Sequence, residues 1–123
     1  MKAAVVILSD PKSGEEALGR AFNGLGTAYE LKQRGDEVTI IFQGAGTRWA
    51  AALAKKDHPL NGLYNLVKDK VAGVSCGCSD VFGSRNEAET AGFKVLTDNA
   101  IPGTSGTAGL GTLAAKGFSV LTF

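Results

Sequence analysis

Apolar residues along the chain fall into short unbroken runs that alternate with stretches of helical spacing. Residues 3–8, Ala-Ala-Val-Val-Ile-Leu, form a continuous apolar run closed by Ser9, Asp10 and Pro11. A strand covered on both faces reads this way, as the strands of parallel sheets do. Over residues 15–34, Leu18, Phe22, Leu25, Tyr29 and Lys32 recur at steps of three and four and predict one long helix, stopped by Gly35. Gly19, Gly24 and Gly26 inside it each cost about 1 kcal/mol relative to alanine. Close packing against the sheet or a neighbouring subunit is the expected compensation.

The alternation continues. Residues 38–42 form the second strand, followed by Gln43-Gly44-Ala45-Gly46. Thr47 is placed to cap a short helix running to about residue 56. Pro59 suits the first turn of another helix, whose inner stripe is Leu60, Leu63, Tyr64 and Val67. Residues 70–75 make the third strand. The segment 76–83 reads as a loop, and Ser84-Arg85-Asn86-Glu87 matches a capping box at a helix start closed by Gly92. A short strand at 93–96, a Gly/Thr/Ser-rich loop at 98–107, a helix at 110–116 and a terminal strand at 118–123 complete the pattern. Five strands alternating with helices predict an α/β fold: one domain over residues 1–123, with a doubly wound parallel five-stranded sheet and helices on both faces in three layers.

Composition supports an ordinary globular domain. The 123 residues are 44% hydrophobic and 20% charged, which argues against disorder. Thirteen basic residues against twelve acidic ones give a formal charge of +1, so no field of one sign points to nucleic acid or an anionic membrane. The first apolar run is too short for a signal peptide, and no window is long enough to span a bilayer. The expected location is therefore cytoplasmic. In that compartment two cysteines suggest reactivity or metal binding rather than a structural disulfide.

Those two, Cys76 and Cys78, follow the third strand directly. Ligands of doubly wound sheets collect at the carboxyl ends of the strands, near the point where strand order reverses. Three segments lie at that edge: residues 9–14, 43–47 and 75–84. A cysteine leaving a strand toward a helix N-terminus gains from the helix dipole, which favours thiolate. Such a thiolate can attack a sulfur donor and hold a persulfide, or ligate a metal. The alternative is a pair of small, inert apolar side chains. A disulfide between them would close a tight, strained ring. Zinc lacks ligands, because His58 is the only histidine. His58 followed by Pro59 reads as a helix-start pair, with proton donation to a thiolate as the sharper option. The loop at 9–14 occupies the position where flavodoxin-like proteins hold a phosphate, but Asp10, Glu15 and Glu16 crowd it, and a helix cap is the simpler reading. Neither a Walker loop nor a GxGxxG fingerprint is present, and no cofactor or metal is expected.

The stretch Gly73-Val-Ser-Cys-Gly-Cys-Ser-Asp-Val-Phe-Gly83 resembles the cysteine loop of DsrE/DsrF-like proteins, a family that includes sulfur-relay subunits. The GAGTRW turn, the HPLNGLYNLVKDKVAG segment and the closing GFSVLTF are similar to small stand-alone members, so the resemblance spans almost the whole chain. It implies a flavodoxin-like fold, a homotrimer or homohexamer, and a persulfide carrier or sulfurtransferase that exchanges sulfur with a donor or acceptor protein or a small thiol. Counting back from Gly83, Cys78 falls on the second cysteine of the C-x-x-C pair of stand-alone relatives, and Ser75 on the first. A one-residue deletion puts Cys76 on the sulfur-relay cysteine instead. Both Cys76 and Cys78 are therefore the candidate catalytic residues. The alternative is a non-catalytic module of the same fold that binds a small ligand or a partner.

Overall fold

From Ala3 to Ile7, no residue of the first strand has any exposed surface. The computed structural model describes all 123 residues, and in it this strand, β1 (Lys2–Ile7), runs through the interior of a five-stranded sheet. It pairs in parallel with β2 (Glu37–Phe42) on one side and β5 (Ser119–Thr122) on the other. Beyond β2 lie β3 (Val71–Ser75) and then β4 (Val95–Leu96), also parallel, giving the order β4-β3-β2-β1-β5. The α/β class and the five parallel strands anticipated from the apolar runs are thus present.

Helices flank the sheet: α1 (Glu15–Gln33), α2 (Trp49–Leu53), α3 (Asn61–Val67), α4 (Cys76–Val81), α5 (Arg85–Thr90) and α6 (Leu110–Ala115). Three successive steps, β1 to β2 to β3 to β4, move the same way across the sheet. Right-handed crossovers then put their helices on one face. The main core follows: Val5, Ile7, Ile40, Phe42 and Val74 from the sheet pack with Leu25 and Leu31 of α1, Trp49 and Leu53 of α2, Val67 and Ala88. The last step, β4 to β5, returns across the full width of the sheet, so its connection at residues 97–118 belongs to the opposite face. That face presents Ala4, Val6 and Ile41, all at most 2% exposed and outside the main core.

Several local expectations change. The stripe of α1 that meets the sheet is Ala17, Ala21, Gly24, Leu25, Ala28 and Leu31, and Phe22 is 49% exposed. Small side chains let the helix lie close to β1, and at 100° per residue Phe22 falls outside the arc that those residues cover. Of the three helix glycines only Gly24 is explained by packing, since a Cβ there would lie 3.1 Å from the Ile7 side chain; Gly19 and Gly26 face open space. Thr47 caps no helix. It lies within a 3₁₀ turn, Gly44–Arg48, that leads straight into α2. The fourth strand shrinks to two residues because Phe93 turns into the core, edge-on to Phe42 and stacked on Tyr64.

Gly46 marks the closest approach of backbone to backbone in this region. A Cβ at that position would stand 2.1 Å from the Ile7 carbonyl oxygen. Gly46→Ala is expected to destabilise the fold by about 3 kcal/mol through forced separation of the turn from β1. Gly26→Ala, in an open helix-interior position, should stabilise it by about 0.5–1 kcal/mol. Urea unfolding of the two variants beside the parent chain measures both.

Candidate functional site

Three segments converge at the carboxyl edge of the sheet, as their positions after β1, β2 and β3 require. The first, after β1, is organised by Asp10. Its Oδ1 accepts from the Lys12 N–H at 2.9 Å and caps a 3₁₀ turn, Pro11–Ser13. Its Oδ2 accepts from Arg48 Nη1 at 2.8 Å, tying this loop to the segment after β2. Trp49 Nε1 donates to Ser9 O at 2.7 Å and strengthens the same junction. The cap expected in this loop therefore exists, but on the 3₁₀ turn; α1 starts at Gly14 without any side-chain cap.

The second and third segments meet through two buried hydroxyls. Thr47 Oγ1 donates to Gly44 O at 2.9 Å, which leaves the Ser84 hydroxyl to donate to Thr47 Oγ1 across 2.8 Å. The capping box anticipated at Ser84 and Glu87 does not form, because Ser84 has committed its hydroxyl to Thr47 and makes no cap bond to α5. Arg48 also lies over the Phe82 ring at 5.4 Å, which fastens the end of α4 to the same hub. At the end of β2, Gln43 Oε1 is buried without a hydrogen-bond partner.

The thiols stand on a helix rather than in a loop. Cys76 is the first residue of α4 and follows Ser75, the last of β3, with nothing between them. Both cysteines are free thiols; Cys76 is 1% exposed and Cys78 is half-buried. Helical geometry explains the difference. Two residues apart on an α-helix are about 200° apart around the axis, so the sulfurs leave opposite sides. A C-x-x-C pair would have shared one face. The C-x-C spacing thus separates the thiols that a dithiol mechanism would need together.

Charge gathers beside Cys76. Arg85 is held above its ordinary value first by the charge of Cys76, then by its bond to Glu89 and the charge and bond of Asp80. Arg85 Nε donates to Glu89 at 3.1 Å. Asp80, one turn after Cys76, accepts from Ser105 Oγ at 2.5 Å and faces Arg85 Nη1 at 3.5 Å. These contacts hold the Asp80 carboxyl below the usual carboxylate range, the Ser105 bond contributing most. None of the three residues is conspicuous in the sequence. The one available signal was that Asp80 falls four residues after Cys76. His58 is committed elsewhere: its Nδ1 accepts from the Leu60 N–H and its ring meets Trp49 edge-on. No group of three or more histidine, cysteine, aspartate or glutamate side chains is placed to hold a metal ion.

The point where strand order reverses lies between β1 and β5, two strands from the cysteines. A cleft of about 430 Å³ opens there, lined by Ser9, Asp10, Ser13, Arg20, Thr122 and Phe123 among others. The carboxyl edge therefore offers two separate places, a polar cleft at the reversal and a pair of thiols on α4. No helix is long and apolar enough to cross a membrane.

No family model matches the chain, and no solved structure matches it. An uncharacterized protein of Methanocaldococcus jannaschii is 34% identical over 87 residues, which cover 71% of this chain and 71% of that relative. The chain belongs to the family of that protein. Membership in this archaeal relative's family leaves the chemistry to be argued from the side chains above.

Two outcomes follow from the geometry. Mild oxidation with a disulfide-forming reagent should produce no loss of two hydrogens within one chain, because the sulfurs of α4 diverge; intact mass under denaturing, non-reducing conditions reads this directly. Asp80, titrating below the ordinary carboxylate pKa of about 3.9, contributes stability that is fully present above that value and lost as pH falls through its lowered one. Ser105→Ala should move the Asp80 titration upward in a carboxyl-detected NMR series.

Proposed function

We propose that the chain is a sulfane-sulfur carrier or sulfurtransferase that works from the thiols of α4, with Cys78 as the sulfur that receives. The observation that carries this reading is the placement of both thiols in the first turn of a helix leaving β3, Cys78 half-buried and Cys76 buried where its charge acts on Arg85. The resemblance of residues 73–83 to the cysteine loop of DsrE/DsrF-like proteins supports it. In the step envisaged, the Cys78 thiolate attacks the terminal sulfur of a persulfide donor. A sulfur–sulfur bond forms at Cys78, the donor's sulfur–sulfur bond breaks, and the donor leaves as a thiolate. No net oxidation or reduction occurs, so no further reagent is needed. Cys78 is favoured over Cys76 because in-line attack needs an open approach to sulfur. In this reading the protein works in the cytoplasm as a homo-oligomer and passes sulfur to a partner protein or a small thiol.

A second reading rests on the cleft at the β1–β5 reversal. Its position is where open α/β sheets bind ligands, and its lining combines polar side chains such as Asp10 and Arg20 with apolar ones such as Leu8 and Phe123. Under this reading the chain is a binding module for a small ligand and its thiols are incidental.

Incubation with a small-molecule persulfide, followed by intact mass measurement, separates the two. Sulfur transfer predicts a gain of one sulfur atom in the parent chain and in Cys76→Ser, and none in Cys78→Ser. Absence of any gain in all three would sink the carrier reading. If the double Cys→Ser chain retains its cellular role, the binding module is the better account. Light scattering at working concentration checks the oligomer, and a monomer there would count against that part of the proposal.

A further inference from the structure

The connection between β4 and β5 crosses the start of the cysteine helix, and its contacts there are few and specific. On the two sides of Cys76 in the chain, Gly77 donates its N–H to Gly106 O at 2.6 Å and Ser75 Oγ accepts from the Ala108 N–H at 3.2 Å. Asn99 and Thr107 bridge the segment to itself through paired backbone bonds of 2.9 Å. Gly106 and Ala108 are buried, whereas residues 97–105 are all exposed. Outside the two contacts flanking Cys76, one further bond fastens this segment to α4: Ser105 Oγ to Asp80.

We propose that residues 97–109 act as a strap over the start of α4, that Asp80 is the positioning residue that latches it, and that the latch decides which thiol can react. With the strap down, Cys78 is open and Cys76 is closed. With the strap lifted, both thiols are open. Segments with little buried surface and few fastening bonds are the ones that open locally without global unfolding. The strap has that character, while the sheet beneath it does not. Asp80 is suited to the latching role because its two oxygens serve different groups. One holds Ser105 of the strap and the other faces Arg85. The proposal concerns access alone. It is decided by alkylation rates, whereas sulfur transfer is decided by mass gain from a persulfide donor, so either can fail without the other.

Alkylation of the native chain with iodoacetamide, quenched over time and mapped by peptide mass, reads the two cysteines separately. Cys78 should be modified first and Cys76 slowly. Ser105→Ala removes the strap's side of the latch and keeps Asp80 and Arg85 in place; Asp80→Ala removes the receiving side. Loss of a hydrogen bond of this kind should speed Cys76 modification about fivefold in each variant, leaving Cys78 unchanged. In the parent chain the Cys76 rate should be insensitive to low urea, as local opening is, while global unfolding rises steeply with it. Three results would overturn the proposal. These are a Cys76 that reacts as fast as Cys78 in the parent, a Cys76 rate unaltered in Ser105→Ala, and a Cys76 rate that tracks global unfolding in urea. Asp80→Ala serves as the second measurement, and Ser105→Ala carries the test alone if that variant does not fold.

Discussion

Burial of β1 on both faces and both edges constrains everything around it. A strand with no exposed residue from Ala3 to Ile7 must have a neighbour on each side and a layer above and below. Three steps taken in one direction build the main core with α1, α2, α3 and α5. The opposite face is left to one long connection. The thiol helix begins where the well-packed layer meets that connection, through Gly77 N–H to Gly106 O and Ala108 N–H to Ser75 Oγ.

Close approach is the means by which the carboxyl edge holds its shape. Gly46 sits against the Ile7 carbonyl, Trp49 reaches back to Ser9, and Arg48 joins Asp10 to the Phe82 ring. The Thr47–Ser84 pair closes the hub away from water, Ser84 donating to Thr47 and Thr47 to Gly44 O. A helix starting directly at Cys76 then sends its two sulfurs in opposite directions, Cys76 buried and Cys78 half-buried. Different environments two residues apart allow different chemical roles.

The strands and the long helix were legible because their patterns are set by burial over many residues. The apolar runs at residues 3–8 and 38–42 required cover on both faces, and they received it except at Leu8, which lies past the end of β1 and is 42% exposed. Single-residue chemistry was less legible. Phe22 carries the spacing of one candidate stripe of α1, yet the stripe that packs runs through Ala17, Ala21, Gly24, Leu25, Ala28 and Leu31, whose side of the helix is chosen by how close Ile7 and Phe123 come to Gly24. The Ser84–Glu87 motif has the local signature of a cap, and a distant Thr47 outcompetes it. Cys76 and Cys78 were visible as candidates, but the helix that separates them was not, since Cys-Gly-Cys-Ser has weak helix preference on its own. Asp80 and Arg85 are near neighbours in the chain, but Ser105 joins them only after the chain has passed through β4.

The pairing of Ala3 with Ser119 has a consequence for how the molecule is made. During synthesis β1 leaves the ribosome well before β5, the strand that completes its other edge, with β2, β3 and β4 made in between. Until then β1 holds an open row of backbone donors and acceptors on its most apolar segment, the kind of edge that recruits foreign strands. Only α1 and β2, which emerge soon after, can shelter it in the interval. Their strong local patterning therefore serves the nascent chain as well as the finished fold.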